Sequence, residues 1–310
     1  MADGSALQKF FDPHTTAKGD KRAWVPMKQL ETLWLNTGTL CNIECENCYI
    51  LSSPKNDDLV YLTQDEAKEY LDEAKTMGTR EIGITGGEPF MNPHILGIMD
   101  DALSAGFELL VLTNAMRPMM RPRIQEALLA IPQDHRDRLT FRVSMDHYTE
   151  EHHDAERGKG SFDLAHQGIK WLAENGFRLA IAGRSIWGES EDEARTGYDG
   201  MLKGLGVTLD VTDPKQLVIF AEMREQDDPP EITTECWSIL NKSPTDIMCS
   251  SSRMVVKRKG ADEPVVLACT LLAYDERFEM GRTLAEAKRP VSLNHKWCAT
   301  FCVLGGSSCS

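Results

Sequence analysis

Three cysteines of the chain lie close together in the segment TLCNIECENCYI, residues 39–50. Cys41, Cys45 and Cys48 are separated by three and then by two residues, a spacing compact enough for one loop to wrap one iron–sulfur cluster. A cubane cluster usually takes four cysteine thiolates, one for each iron. Three thiols would leave one iron open, much as a catalytic zinc site keeps one position for its substrate. The segment therefore indicates a metal centre that can bind and reduce a further ligand.

A structural zinc site is the alternative for these thiols. It would combine Cys45 and Cys48 with a second pair, Cys298 and Cys302. The chain has nine cysteines, an odd number that fits badly with complete disulfide pairing, and its first residues show no signal-peptide pattern. Clustered thiols in a reducing compartment are typically metal ligands rather than disulfides. We therefore expect a cytoplasmic protein.

The net charge of the chain indicates which classes of partner it is unsuited to bind. Forty-eight acidic and 34 basic residues give a net charge of -14. Proteins that bind nucleic acid or anionic membranes nonspecifically usually present a basic surface, so this balance argues against both classes of partner. The sequence also contains no apolar run of about 18 residues, and we expect no membrane-spanning helix.

The elements that must position the three thiols alternate between short β-rich runs and helical stretches. Because the runs are rich in Ile, Leu and Val without clean alternation, they indicate strands buried on both faces, as in a parallel sheet. The alternation predicts an α/β fold, a partial (β/α)6 TIM-type barrel, in which chemistry gathers at the C-terminal ends of the strands. The cysteine segment directly follows the first predicted strand. The six strands are expected at 30–36, 80–85, 107–113, 139–145, 177–183 and 216–222.

The pattern changes after about residue 225. The segment REQDDPPEITTE is charged and proline-rich, which is typical of a linker, and MVVKRKGADEPVVLACT predicts a β-hairpin around KGADEP. We therefore divide the chain into an N-terminal extension (1–29), the barrel (30–224) and a small cysteine-rich C-terminal domain (225–310).

The spacing Cys-x3-Cys-x2-Cys after a first barrel strand resembles the signature of the radical S-adenosylmethionine (radical SAM) enzymes. The resemblance covers roughly residues 30 to 222. It implies that Cys41, Cys45 and Cys48 hold a [4Fe-4S] cluster whose open iron is chelated by the methionine part of SAM. One position departs from the family pattern, because the residue before the third cysteine is commonly aromatic there and is Asn47 here.

Further segments resemble the SAM-binding motifs of the same family. ITGGEPFMNP at the end of the second predicted strand is similar to the Gly-Gly-Glu-Pro motif that contacts the SAM amino group. LTNAMRP resembles a Thr-Asn-Gly segment, with Ala115 where glycine is usual, and FRVSMD resembles a Ser-x-Asp pair that precedes an Arg-Gly stretch. The residues that the resemblance implies for SAM binding are Gly86, Gly87, Glu88, Pro89, Asn114, Ser144, Asp146 and Arg157.

The C-terminal cysteines resemble those of twitch or SPASM extensions, in which cysteines on either side of a hairpin join later ones around an auxiliary iron–sulfur cluster. The full SPASM pattern has more cysteines and normally two auxiliary clusters, so the resemblance here implies one auxiliary [4Fe-4S] cluster. Cys249 and Cys269 bracket the predicted hairpin, and two or more of the remaining three would complete the ligand set. The candidates are Cys249, Cys269, Cys298, Cys302 and Cys309. A zinc ribbon is the alternative for this region.

The resemblance implies an enzyme that cleaves SAM reductively to a 5′-deoxyadenosyl radical and removes hydrogen from a substrate, with the auxiliary cluster assisting oxidation or substrate binding. Its partner would be an electron donor such as flavodoxin or ferredoxin. Little chain precedes residue 30, which favours a small-molecule substrate over a peptide. A peptide-modifying radical SAM enzyme is the alternative, and a non-catalytic iron–sulfur or zinc protein is a more distant one.

Overall fold

Six neighbouring parallel strands occupy the centre of the computed structural model, which describes residues 8–221, 223 and 226–306. They follow one another in space in their order along the chain, from the strand at Thr32–Asn36 to the strand at Leu217–Ala221. The α/β partial barrel expected from the sequence is confirmed. The strands are β1 Trp24–Val25, β2 Thr32–Asn36, β3 Glu81–Thr85, β4 Glu108–Thr113, β5 Leu139–Ser144, β6 Arg178–Ser185, β7 Leu217–Ala221, β8 Ser252–Val256, β9 Val265–Leu267, β10 Glu279–Gly281 and β11 Val291–Ser292.

The central strands are buried on both faces, which explains their continuous apolar sequences. All five residues of β2 are buried, and so are four of the five residues of β3. Parallel strands of this kind are covered by the helices that connect them. Since the C-terminal ends of parallel strands meet at one edge of the sheet, the loops after β2 to β6 converge there. This edge is where the candidate site lies.

Two of the described helices, α1 and α7, begin with a capping box. In α1, Thr63 accepts from the backbone N–H of Glu66, and the Glu66 side chain accepts from the N–H of Thr63. Such a box satisfies two otherwise unpaired donors of the helix end. No helix of the described residues is long and apolar enough to cross a membrane. The helices are α1 Gln64–Thr76, α2 Ile95–Ser104, α3 Pro122–Leu129, α4 Gln133–Arg136, α5 Glu150–Arg157, α6 Ser161–Glu174, α7 Glu191–Gly204 and α8 Cys236–Ile239.

The C-terminal region extends the barrel sheet, which the sequence did not indicate. The predicted hairpin is confirmed as β8 and β9, which pair antiparallel. However, β8 also pairs in parallel with β2, with Thr32 opposite Ser252, so it adds a seventh parallel strand on the far side of β2. Strand β1 pairs antiparallel with β11, and this joins the N-terminal segment to the C-terminal one. The domain limits at residues 29 and 224 stay predictions.

Helix α6 packs directly on the turn that follows β4. Ala115 in this turn has a φ of +54°, in the left-handed region where glycine is the usual residue. Gly168 of α6 faces it so closely that a Cβ on Gly168 would lie 1.9 Å from the Ala115 carbonyl oxygen. The close approach therefore requires glycine at residue 168.

We expect Gly168→Ala to lower the free energy of unfolding by about 2 kcal/mol or more, because the new methyl group meets backbone rather than a movable side chain. Gly200→Ala in α7 is the matched control: Gly200 is exposed and a Cβ there meets nothing within 4 Å. The control should gain about 0.5–1 kcal/mol from its higher helix propensity. Urea denaturation of both variants measures the difference. Equal effects of the two substitutions would contradict the packing argument.

Candidate active site

The three clustered cysteines lie in the loop between β2 and α1, at the C-terminal edge of the sheet. Cys41 is buried, whereas Cys45 and Cys48 are half-buried, and the three thiols are free. All three line one cavity of about 1290 Å³ that is open at its mouth. Most of the residues assigned to SAM binding line the same cavity: Gly86, Gly87, Asn114, Ser144, Asp146 and Arg157. The structure thus brings together residues that are more than 100 positions apart in the chain.

The Gly86–Gly87 pair holds the start of the cysteine loop through backbone contacts. The N–H of Gly87 donates to the carbonyl of Gly38 (2.8 Å), and the N–H of Glu88 donates to the carbonyl of Leu40 (3.2 Å). A Cβ on Gly87 would lie 2.3 Å from the Leu40 carbonyl oxygen. Glycine is therefore required here so that two backbones can meet, and the contact places Cys41 beside the end of β3.

Glu88 lies behind the cavity wall, and its carboxylate binds the end of β4. It accepts from the Thr113 hydroxyl (2.9 and 3.0 Å) and from the backbone N–H groups of Asn114 (2.9 Å) and Phe90 (3.1 Å). Burial raises the pKa of Glu88 to about 7, although these donors oppose the shift. Pro89 is buried beside it. In this structure Glu88 and Pro89 support the strand ends around the cavity, and their contact with SAM stays a prediction.

Asn114 connects the end of β4 to the cysteine loop. Its side-chain amide donates to the side chain of Asn42 (2.9 Å) and lies 3.9 Å from the Cys41 sulfur. The positive φ of Ala115 turns the chain directly after it. The family glycine that Ala115 replaces would adopt this conformation without the cost, on the order of 1–2 kcal/mol, that an alanine bears. The backbone thus keeps the conformation expected of the motif.

Asp146 and Arg157 form a buried bidentate ion pair. The Arg157 Nε donates to Asp146 Oδ2 (2.8 Å), and its Nη2 donates to Oδ1 (3.0 Å). Burial opposes ionisation of Asp146, but the Arg157 guanidinium more than offsets it and lowers the pKa of the carboxyl. Ser144, at the end of β5, lines the cavity next to this pair. Two Arg157 nitrogens are therefore occupied by protein, so its predicted contact with the SAM carboxylate would use its remaining donors.

A polar network surrounds Asn47, where the family pattern has an aromatic residue. The Asn47 side-chain amide donates to both carboxylate oxygens of Glu156 (3.1 and 2.9 Å), and the Asn47 backbone carbonyl accepts from Arg184 (3.0 Å). Arg184 also pairs with Glu156 (3.3 Å), and the backbone N–H of Glu46 donates to the Glu156 carbonyl (2.9 Å). Sequence reasoning missed Glu156 and Arg184, because nothing in the sequence places the end of α5 or β6 against residue 47.

The surroundings of the thiols fit a metal cluster that binds thiolates. Burial raises the pKa of Cys41 to about 12 and also raises the pKa of Cys45, whereas the charge of Arg157 opposes the shift at Cys45. A bound metal removes such protons, and a nearby guanidinium stabilises the resulting negative charge. Within the described residues, no three His, Cys, Asp or Glu side chains converge as ligands of a single ion would. This holds for Cys41, Cys45 and Cys48 as well, so their role as cluster ligands stays a prediction. Cys298 and Cys302 are not among the residues that line the cavity with Cys45 and Cys48.

The C-terminal cysteines lie around the other end of β2. Cys249 precedes β8, whose first residue Ser252 lies opposite Thr32 at the start of β2, and Cys269 follows β9. Cys298 and Cys302 belong to the π-helical turn Cys298–Leu304. Cys249 and Cys298 are buried, and burial, with a smaller contribution from Cys249, raises the pKa of Cys298 to about 12. The fifth candidate, Cys309, lies outside the described residues.

This cysteine-rich region also forms part of the cavity wall. Thr270 and Leu271, directly after Cys269, line the cavity, as does Phe301 between Cys298 and Cys302. A second, open cavity of about 1390 Å³ adjoins the first and leads past the segment 271–276 to His295 and Trp297. The residues that line both are Asn47, Cys48, Tyr49, Arg184, Met223 and Leu271. The two cavities therefore form one groove that runs outward from the cysteine loop.

Curated relatives match part of the chain. It is 33% identical over 137 residues to the mycofactocin maturase MftC of Mycobacterium tuberculosis, which is 44% of this chain and 33% of the relative. It is 32% identical over 145 residues to the AdoMet-dependent heme synthase of Methanosarcina barkeri, which is 46% of this chain and 38% of the relative. The chain thus aligns with less than half the length of either relative.

Solved structures share the fold over a larger part of the chain. SuiB of Streptococcus suis bound to S-adenosylmethionine superposes with a TM-score of 0.58 at 14% identity, over 82% of this chain and 63% of SuiB. SuiB has also been solved bound to its precursor peptide SuiA. The family model described as the radical SAM superfamily matches residues 35–194, more than half of the chain. The chain belongs to the radical SAM superfamily, whose enzymes work through radical chemistry with a [4Fe-4S] cluster and SAM.

Proposed function

We propose that this radical SAM enzyme modifies a peptide substrate. The observation that supports the proposal is the groove, because an extended chain could lie along the outer cavity and present one residue to the inner one. The likeness to the maturase MftC and to SuiB, which binds a precursor peptide, favours the same substrate class. The small-molecule substrate expected from the sequence is not confirmed, and it becomes the competing outcome of the test below.

Cys41, Cys45 and Cys48 would hold the cluster, and the cavity beside them would hold SAM. When bound there, the cluster and SAM would supply the one-electron reductive cleavage of SAM to methionine and a 5′-deoxyadenosyl radical, the species that would take a hydrogen atom from the substrate. The chain itself orients the ligands: Gly86 and Gly87 fix the loop, and the Asp146–Arg157 pair keeps a positive charge near Cys45. The apolar wall of Phe220, Leu271 and Phe301 would exclude water from the reacting atoms.

We further infer that the C-terminal cysteines bind one auxiliary [4Fe-4S] cluster. Cys249, Cys269, Cys298 and Cys302 are the described candidates, and Cys309 is the fifth by sequence. The position of Thr270, Leu271 and Phe301 in the cavity wall would let such a cluster act on the substrate from the side opposite the cysteine loop. The electron donor would be a small carrier such as flavodoxin or ferredoxin.

The reconstituted protein with SAM and dithionite should form 5′-deoxyadenosine. With a deuterated polypeptide fraction from the native host, deuterium should appear in 5′-deoxyadenosine, because the radical takes its hydrogen from the substrate. Mass spectrometry of the product measures the transfer. The matched control is the same fraction digested to amino acids with a protease, which should abolish the transfer.

Deuterium transfer from a small-molecule fraction, unaffected by protease, would overturn the peptide proposal and restore the small-molecule one. A fully loaded protein that forms no 5′-deoxyadenosine would contradict the radical reaction itself.

Iron analysis tests the auxiliary cluster. Two cubane clusters require about eight irons per chain, and Cys249→Ala should leave about four, since the loop cluster keeps its own ligands. Cys236→Ala is the control and should retain about eight, because the Cys236 sulfur accepts a hydrogen bond from the backbone of Thr233 within its own turn. About four irons in the unsubstituted protein would refute the auxiliary cluster.

A further inference from the structure

Arg253, the second residue of β8, is a buried guanidinium without a carboxylate partner. It is 1% exposed and is among the largest fully buried side chains. Its Nη1 donates to the carbonyls of Cys249 (2.6 Å) and Ser252 (2.7 Å), its Nε to Ala287 (3.0 Å), and its Nη2 to Arg289 (3.1 Å). Among the residues that the structure describes, no carboxylate lies within ion-pair distance of it.

Carbonyl oxygens satisfy the donors of Arg253 but do not neutralise its charge. A buried charge is costly unless an opposite charge accompanies it. The fully buried Arg22 follows this rule, since it pairs with Glu231 (2.5 Å), and the part-buried Arg157 likewise pairs with Asp146 (2.8 Å). Arg253 differs from both because no described carboxylate pairs with it, and we therefore expect a negatively charged group of another kind beside it.

The groups that surround Arg253 and can become negative are cysteines. Cys249 lies four residues before it and accepts a hydrogen bond from it through its carbonyl. Met254, the residue after Arg253, pairs with Leu267 at the end of β9, and Cys269 follows two residues later. Burial lowers the pKa of the Arg253 guanidinium, and negative charge on Cys249 and Cys269 would oppose that shift.

We propose that Arg253 is the counter-charge of the auxiliary iron–sulfur cluster and raises the reduction potential of that cluster. The proposal rests on the auxiliary cluster of the proposed function. A cubane with cysteine thiolate ligands is an anion, and it gains one further negative charge when it accepts one electron. A fixed positive charge in a site of low dielectric stabilises the reduced form more than the oxidised form. Arg253 is thus a positioning and tuning residue, not a ligand.

A purely structural role is the competing explanation. The four carbonyls that Arg253 contacts belong to Cys249 before β8, to the first residue of β8 and to residues 287 and 289, so the side chain also cross-links two segments. Charge and cross-linking can be separated by substitution. Arg253→Lys keeps the charge but loses part of the fork of donors, whereas Arg253→Gln keeps donors but loses the charge.

The experiment uses the full chain with Cys41, Cys45 and Cys48 replaced by Ala, so that any remaining cluster is the auxiliary one. In this background we expect about four irons per chain. Electron paramagnetic resonance during a redox titration with dithionite, the electron donor, gives the midpoint potential of the one-electron couple. At the potential where half of the unsubstituted Arg253 protein is reduced, Arg253→Gln should lower the reduced-to-oxidised ratio at least tenfold, which is 59 mV for one electron.

Arg253→Lys should restore most of that ratio. Arg282→Gln is the control in the same region, because Arg282 is exposed and paired with Glu263, and its charge is screened by solvent.

An unchanged midpoint potential in Arg253→Gln, with iron retained, would overturn the proposed role of Arg253 but leave the auxiliary cluster in place. Iron lost from both Arg253 variants would also overturn it in favour of cross-linking, whereas iron lost from Arg253→Gln and kept by Arg253→Lys would support the charge requirement. Absence of iron from the parent background would overturn the auxiliary cluster and this inference together.

Discussion

The backbone contact between Gly86–Gly87 and the segment Gly38–Leu40 is the constraint on which the candidate site depends. Because neither glycine has a Cβ, two N–H groups at the end of β3 reach carbonyls of the loop that follows β2. The cysteine loop is long and has little regular structure of its own, so its first thiol is fixed by this contact with the next strand. The same segment continues into Glu88, whose carboxylate joins β3 to β4. One stretch of four residues thus links three strand ends to the cavity.

Charge is distributed similarly at the two groups of cysteines. Each has an arginine beside it: the part-buried Arg157 lies near Cys45, and the buried Arg253 donates to the Cys249 carbonyl. The difference lies in their partners. Arg157 is bound by Asp146, whose charge opposes its effect on Cys45, whereas Arg253 contacts only neutral carbonyls among the described residues. The same kind of side chain is therefore paired with a carboxylate at one group and with neutral carbonyls at the other.

The sequence predicted those features that depend on local pattern. Continuous apolar runs located the six strands, and the pattern that starts α1, a threonine followed three residues later by glutamate, is equally local. Long-range contacts were not predictable in this way. The pairing of β8 with β2 joins segments about 220 residues apart, and Glu156 reaches Asn47 from α5. The sequence shows Asn47 where the family pattern has an aromatic residue. It does not show that Glu156 and Arg184 bind Asn47, since a side-chain network leaves no periodic signal in the sequence.

The pairing of β8 with β2 also determines how the two groups of cysteines are related. The loop with Cys41 leaves the C-terminal end of β2, whereas the turn with Cys249 enters β8 opposite the first residue of β2. Cys41 and Cys249 therefore lie toward opposite ends of the five-residue strand β2. Thr270 and Leu271 reach from the second group into the cavity that the first group lines. The pairing of β8 with β2 thus sets the position of one group of cysteines relative to the other.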